Sequence, residues 1–269
     1  MTELFSATIL GIVEGLTEFL PVSSSGHLII AGHLLDYTGP KAAVFEVFIQ
    51  LGAILAVVLL YCNRFLGLLK NTPELPFSGI RGLWMLFLTS LPASILGLFL
   101  AGYIKTFLFN PITVSIALAV GALFILCVEK YAPAHDTSQA RYASLDDMTP
   151  SLAFKIGCFQ CLALWPGFSR SAATIMGGML LGTRRTLATE YSFLAAVPIM
   201  FAATGYDVLK NYHLFSSADI PFFAVGFVVS FFAALVAVKT FISVIGKMTF
   251  KPFAYYRLII APLVYFFWS

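Results

Sequence analysis

Two segments, AVFEVFIQLGAILAVVLLY (43–61) and PFFAVGFVVSFFAALVAV (221–238), run for close to 20 residues with at most one charge each. About 20 apolar residues in a helix span the hydrocarbon core of a bilayer. Lipid offers no hydrogen-bond partners, so a chain built from such segments must close its backbone bonds within helices. The composition agrees: 59% of residues are hydrophobic and 11% charged, against about 25% charged in a soluble domain. The expected fold is an all-α polytopic membrane protein, embedded among membrane lipids.

Ten apolar stretches can be delimited, at roughly 3–20, 24–36, 43–61, 81–102, 111–128, 152–165, 170–181, 186–209, 219–243 and 253–268. Six of them are long enough, or nearly so, to span. The pairs 3–20/24–36 and 152–165/170–181 are shorter arms joined by the polar turns PVSSSG and PGFSRS. Short arms of this kind read as re-entrant segments, whose irregular backbone must be covered by protein. Two re-entrant helical hairpins, 3–36 and 152–181, are therefore expected to meet inside the molecule. Offset by 145 positions, Pro21 aligns with Pro166, Ser24 with Ser169 and Gly32 with Gly177. Weak internal symmetry of this kind marks a duplicated membrane fold. It predicts a first repeat at 1–128, a linker at 129–151 and a second, inverted repeat at 152–269, with six spanning helices in all.

Loop charges orient the predicted bundle. Arg64, Lys70, Arg81, Lys130, Arg141, Lys155, Arg184, Arg185, Lys247 and Lys251 fall on one face, against Lys41, Lys105 and Lys210 on the other. The positive-inside rule places the first face in the cytoplasm, with both termini outside and the site open to the exterior. The net charge of +3 is spread over loops and forms no nucleic-acid surface. No Lys or Arg precedes the first apolar run, so no signal peptide is expected. Cys158 and Cys161 form a single C-x-x-C, read as two small apolar side chains one turn apart rather than a redox or metal pair. A homodimer is compatible with the chain, with no G-x-x-x-G motif placed to enforce it.

The polar residues of the hairpins carry the chemistry. Glu14 and Glu18 are four apart and share a helix face; inside the membrane they would be driven neutral unless a cation lay between them, whereas near the interface both would simply be hydrated. Ionisable groups at such positions mark functional sites, and oxygen ligands suit a hard divalent cation, Mg²⁺ or Ca²⁺. Ser23, Ser24 and Ser25 follow Pro21, where serine hydroxyls cap a helix start and helix N–H groups can cradle an oxyanion. His27 lies one turn further on. In the second turn Arg170 brings a planar fork suited to phosphate or carboxylate, flanked by the hydroxyls of Ser169, Ser171 and Thr174. Pairing of Arg170 with Glu14, Glu18 or Glu190 is the alternative reading. Glu46, Gln50 and Glu190 are candidates for a supporting ring or further ligands. A cation-carrying acidic turn opposite an arginine turn describes phosphate handling, in which catalysis is mostly positioning and charge neutralisation.

EGLTEFLPVSSSGHL and PGFSRSAAT resemble the two signature motifs of the undecaprenyl-diphosphate phosphatases, the bacitracin-resistance family. The likeness extends through FEVFIQLGAILAVVLLY and EYSFLAAVPIM, with Ser25 where threonine is common and Ala172 where glycine is common. The resemblance implies hydrolysis of a polyprenyl diphosphate lipid, undecaprenyl diphosphate, to the monophosphate and inorganic phosphate. It implies that Glu14 and Glu18 form the metal-dependent acidic pair, with Ser24, His27 and Arg170 in the other functional positions. The attacking group is left open among Ser24, His27 and a metal-bound water. A secondary transporter or lipid-phosphate flippase without hydrolysis is the rival reading.

Overall fold

A computed structural model describes residues 3–70, 72, 75–132, 140–211, 213 and 216–268. Eleven α-helices account for most of them: α1 Glu3–Thr17, α2 Ser24–Leu34, α3 Pro40–Leu60, α4 Cys62–Gly67, α5 Gly79–Tyr103, α6 Pro111–Tyr131, α7 Pro150–Gln160, α8 Arg170–Leu180, α9 Arg185–Asn211, α10 Ile220–Ile245 and α11 Lys251–Trp268. Five are long and apolar enough to cross a membrane: α3, α5 with its π-helical extension to Leu108, α6, α9, and α10 with the short turn before it. Helix α11, which covers the predicted span 253–268, is not among the five. The outward faces are apolar, with Phe99 84% and Leu98 71% exposed, as suits helices packed against lipid. Part of the predicted linker, residues 133–139, lies outside the described residues.

One packing scheme occurs twice. Helix α1 packs along α10, and α7 along α5; α2 packs on α11, and α8 on α6; α3 meets α9, and α6 meets α11. At the two turns and the helices that follow them, the equivalences lie 146 positions apart, not 145. Helices α2 and α8 each have 11 residues and begin 146 apart. The left-handed residues Ser23 (φ 70°) and Ser169 (φ 79°), and then Asp36 (φ 53°) and Gly182 (φ 91°), keep the same spacing. Sequence identity misled by one position because the prolines of the two turns are not equivalent: Pro21 corresponds to Gly167. In this register Glu14 corresponds to Gln160 and Gly11 to Gly157.

Small residues let the short helices seat deeply. A Cβ at Gly11 would lie 2.6 Å from Gly226 O, and one at Gly15 would lie 2.4 Å from Ser230 O. Gly11 and Gly15 thus form a G-x-x-x-G contact, which the sequence reading passed over, and it joins α1 to α10 within the chain. At the charged end of the bundle, Arg185 donates to the Glu129 carboxylate at 3.1 and 3.2 Å, and Phe250 N donates to Glu129 Oε1 at 2.8 Å. These bonds gather the ends of α6, α9 and α11. At the opposite end Lys41 pairs with Asp219. All four cysteines are free thiols.

Candidate active site

The turns between α1 and α2 and between α7 and α8 meet in the interior, and the local sequence explains how. Pro166 and Gly167 (φ 95°) break the second arm, and Ser169 and Ser23 take the N-cap positions in left-handed backbone. Non-glycine residues in such conformations cost about 1–3 kcal/mol each and persist where the surrounding structure demands them. Here they turn the N-termini of α2 and α8 toward one another. Ser169 Oγ caps α8 by accepting from Ala172 N at 3.2 Å. Ser23 makes no side-chain cap on α2, so the serines of the first turn differ from the capping role their type suggests.

Cross-turn bonds fix the juxtaposition. Arg170 Nη2 donates to Glu18 Oε1 at 3.1 Å, and Ser171 Oγ donates to Leu20 O at 2.8 Å. Ser24 Oγ donates to the other carboxylate oxygen, Glu18 Oε2, at 2.6 Å. Arg170 Nη1 also donates to Ser192 O at 3.1 Å, and the guanidinium lies over the Phe19 ring, 5.5 Å from its centroid. Glu18 thus bridges a hydroxyl and a guanidinium, and both side chains of its ion pair are largely shielded, at 9% and 13% exposure. Removing one partner of such a shielded pair is costly, because the other is left as an uncompensated buried charge.

A cavity of about 290 Å³ opens at this point. Glu18, Ser23, Ser24 and Ser25 line it from the first turn, and Gly167, Ser169 and Arg170 from the second. Gln50 of α3, Met200 of α9 and Gln160 at the end of α7 complete its polar and softer walls. The two helix N-termini and Arg170 make it a place for an anion.

The remaining candidates fall behind or away from this space. Thr174 is buried and bonded to Arg170 O and Ser192 Oγ; Ser171 is spent on Leu20 O. Glu190 is paired with Arg64 at 3.8 Å. Glu46 lines a separate cavity of about 120 Å³ with His33 and Tyr37. His27 places Nδ1 2.7 Å from Ser23 O and Nε2 2.7 Å from the Tyr256 hydroxyl, with the two rings stacked. Both ring nitrogens are engaged away from the cavity.

Glu14 is fully buried, and both its carboxylate oxygens lack a hydrogen-bond partner. Its carboxylate interacts with that of Glu18. Two carboxylates in contact satisfy neither acceptor unless a proton or cation lies between them, so the orphaned oxygens of Glu14 fit a hard cation. Among the described residues no group of three His, Cys, Asp or Glu side chains could hold a metal alone. Glu14 and Glu18 are the residues that would hold such a cation, and Glu18 is the one of the two that lines the cavity.

Two polar residues escaped the sequence reading. Gln160 is buried, donates to Thr89 O at 3.2 Å and leaves its own Oε1 without a partner at the cavity wall. The 146-residue register would have found it as the counterpart of Glu14. Arg257 is fully buried behind the two turns. Its signal was a lone basic residue within the apolar run YYRLII.

A family profile described as "Bacitracin resistance protein BacA" matches residues 7–263. The chain is 69% identical to the undecaprenyl-diphosphatase of Maridesulfovibrio salexigens over 269 residues, covering 100% of both proteins. It is 68% identical to that of Nitratidesulfovibrio vulgaris over 267 residues, 99% of each. The undecaprenyl-diphosphatase of Lawsonia intracellularis is 55% identical over 265 residues, 98% of each. With two signature turns folded onto one cavity and a match along nearly its whole length, this chain belongs to the bacitracin resistance protein BacA family.

Proposed function

We propose that this protein is an integral membrane phosphatase that hydrolyses undecaprenyl diphosphate to undecaprenyl phosphate and inorganic phosphate, recycling a lipid carrier for cell-wall synthesis. The observation that carries the reading is the convergence of Ser24, Glu18 and Arg170, drawn from two turns, on one cavity wall. At about 290 Å³ the cavity suits a diphosphate headgroup, with the polyprenyl chain left in lipid.

Ser24 is the attacking group. Its Oγ is already hydrogen-bonded to Glu18, which accepts the proton as the oxygen attacks the terminal phosphorus. The bond from that phosphorus to the bridging oxygen breaks, and undecaprenyl phosphate leaves as a stabilised anion that needs no general acid. Water then attacks the phosphoserine; Glu18 returns its proton to the departing Ser24 oxygen, and the protons of the water leave with inorganic phosphate. Arg170 and the first-turn N–H groups of α2 and α8 neutralise charge on the equatorial oxygens. Glu14 and Glu18 would hold the divalent cation, Mg²⁺ or Ca²⁺, which when bound supplies further charge neutralisation. His27 has both nitrogens committed to Ser23 and Tyr256, which favours a role in holding the turn over attack.

The surrounding architecture is read as an inverted repeat, 1–128 and 152–269 joined by 129–151, with re-entrant hairpins 3–36 and 152–181 and α11 as a sixth crossing. Support comes from the paired packing scheme and from the 146-residue spacing that relates the two turns and the helices α2 and α8 that follow them. The charge asymmetry of the two ends favours a cytoplasmic linker, outer termini and a site open to the periplasmic side of the inner membrane. Cysteine labelling at Thr38 from outside, and at Ser144 only after permeabilisation, is the expected outcome; external labelling of Ser144 would reverse the orientation.

The purified protein should release phosphate from a polyprenyl diphosphate in the presence of Mg²⁺, and Ser24→Ala should abolish release. Phosphoserine mapped to Ser24 in a single turnover is the expected intermediate. Sustained release by Ser24→Ala would move the attack to water or His27, and a phosphohistidine at His27 would separate the two. Absence of release by the wild type, with lipid transport intact, would favour the transporter reading.

A further inference from the structure

Arg257 is the largest of the fully buried side chains, at 0% exposure, and its hydrogen bonds among the described residues all go to carbonyl groups. Nε donates to Leu118 O at 3.1 Å and Nη2 to Ala117 O at 3.3 Å, both on α6. Nη1 donates to Pro21 O at 3.3 Å, in the first turn, and Nη2 to Gly167 O at 3.0 Å, in the second. Among the described residues no carboxylate lies within ion-pair distance of it. A buried cation is costly without compensation, and a planar five-donor fork is the side chain that can satisfy several fixed carbonyls at once.

The geometry points to Arg257 as a positioning residue for the phosphatase reaction proposed above. From α11 it holds Pro21 and Gly167 on one guanidinium. The first lies three residues from Ser24 and the second three residues from Arg170, so the attacking hydroxyl and the phosphate-binding fork share one anchor. The absence of a carboxylate partner also leaves its charge to add to the positive field at the cavity, which Gly167 helps to line. The surroundings are built to admit the fork. A Cβ on Gly121 would lie 2.1 Å from Arg257 Nη2 and 3.0 Å from Phe168 O. Glycine on α6 is the residue type that leaves room for the guanidinium against the second turn.

Two perturbations reach the clamp independently: Arg257→Lys, which keeps the charge but cannot span four carbonyls, and Gly121→Ala, which displaces the fork without touching it chemically. Gly102→Ala, where a Cβ meets nothing within 4 Å, is the control. Displacing reacting groups by an ångström costs about 10²-fold, so both variants should lose about that factor in kcat on undecaprenyl diphosphate with KM close to wild type. A readout without substrate accompanies it. In a Trp84→Phe/Trp268→Phe background Trp165, bonded through Nε1 to Thr113 O at 3.0 Å beside the second turn, should become more accessible to acrylamide quenching in both variants. Unchanged quenching would overturn the clamp whether or not any phosphate is released. Unchanged kcat, or a loss that merely follows the fraction of unfolded protein on size-exclusion chromatography, would overturn the positioning role. Because quenching is read without turnover, failure of the wild type to release phosphate would count against the phosphatase reading alone.

Discussion

Replacing Glu18 by Gln removes one charge from a carboxylate that serves two partners at once, Ser24 at 2.6 Å and Arg170 at 3.1 Å. The stability effect follows from burial. With the Arg170 side chain only 13% exposed, an unpaired guanidinium is left inside the protein, and breaking one side of such a pair costs about 3–5 kcal/mol. Arg170 keeps its bond to Ser192 O, so the lower end, about 3 kcal/mol, is expected. In thermal unfolding of detergent-solubilised protein that corresponds to roughly 6–12 °C. The double variant Glu18→Gln/Arg170→Met removes the stranded charge and should recover most of the loss, since an apolar replacement of a buried pair is often neutral. Activity should not recover. Loss of the base alone lowers kcat by about 10²–10⁴-fold, and the double variant also lacks the phosphate-binding fork. The assays are a double-mutant cycle on unfolding temperature and phosphate release on the same four proteins. Additive destabilisation in the double variant would refute the coupling of the pair. A Glu18→Gln rate near wild type would refute the base.

Three further outcomes test the scaffold. Gly15→Val, whose Cβ would start 2.4 Å from Ser230 O, should lower stability by about 1–3 kcal/mol through overpacking of α1 against α10; an unchanged unfolding temperature would contradict that contact. Arg185→Met removes the guanidinium from the buried Glu129 carboxylate, which keeps its bond from Phe250 N, and should cost about 3 kcal/mol, whereas Lys41→Ala, at a half-exposed pair with Asp219, should leave the unfolding temperature nearly unchanged; equal effects in unfolding would show the buried cluster to be ordinary. Backbone N–H groups of Ala143 and Ser144 hold the Asp147 carboxyl below its usual range. A depressed native pKa stabilises above the unfolded value, and that stabilisation is lost as pH falls through the folded one, so the hydrogen-exchange protection factors of the 143–147 turn should fall on acidification, and Asp147→Asn should remove that acid dependence.

The membrane class, the two broken helix pairs and most of the polar residues that line the cavity were legible in the linear chain, because each is written locally. An apolar run of spanning length, a proline-broken arm and a polar cluster inside hydrophobic sequence all carry their meaning within a few turns. Glu18, Ser24 and Arg170 could be singled out because charge and hydroxyl groups are expensive there. What the sequence reading mistook was register: matching prolines gave an offset of 145, while backbone geometry at Ser23 and Ser169 sets 146. Conformation, not residue identity, is what the two turns share.

Tertiary structure decided which polar residues face one another. Nothing near Glu190 in sequence reveals that it pairs with Arg64, or that Glu46 opens on a different cavity. Nor does the local sequence show that His27 turns toward Tyr256, 229 residues away. Side-chain direction in these short helices depends on where α6, α9, α10 and α11 press on them, and that pressure comes from residues far along the chain. Arg257 is the clearest case. The sequence marks it as a lone charge in an apolar helix, but the four carbonyls that satisfy it come from α6 and both turns and exist together only after folding. By itself the sequence determined the solvent the chain must live in and the groups able to do chemistry. Packing alone decided which of those groups meet, because a buried polar atom is costly without a partner and only the assembled helices supply one.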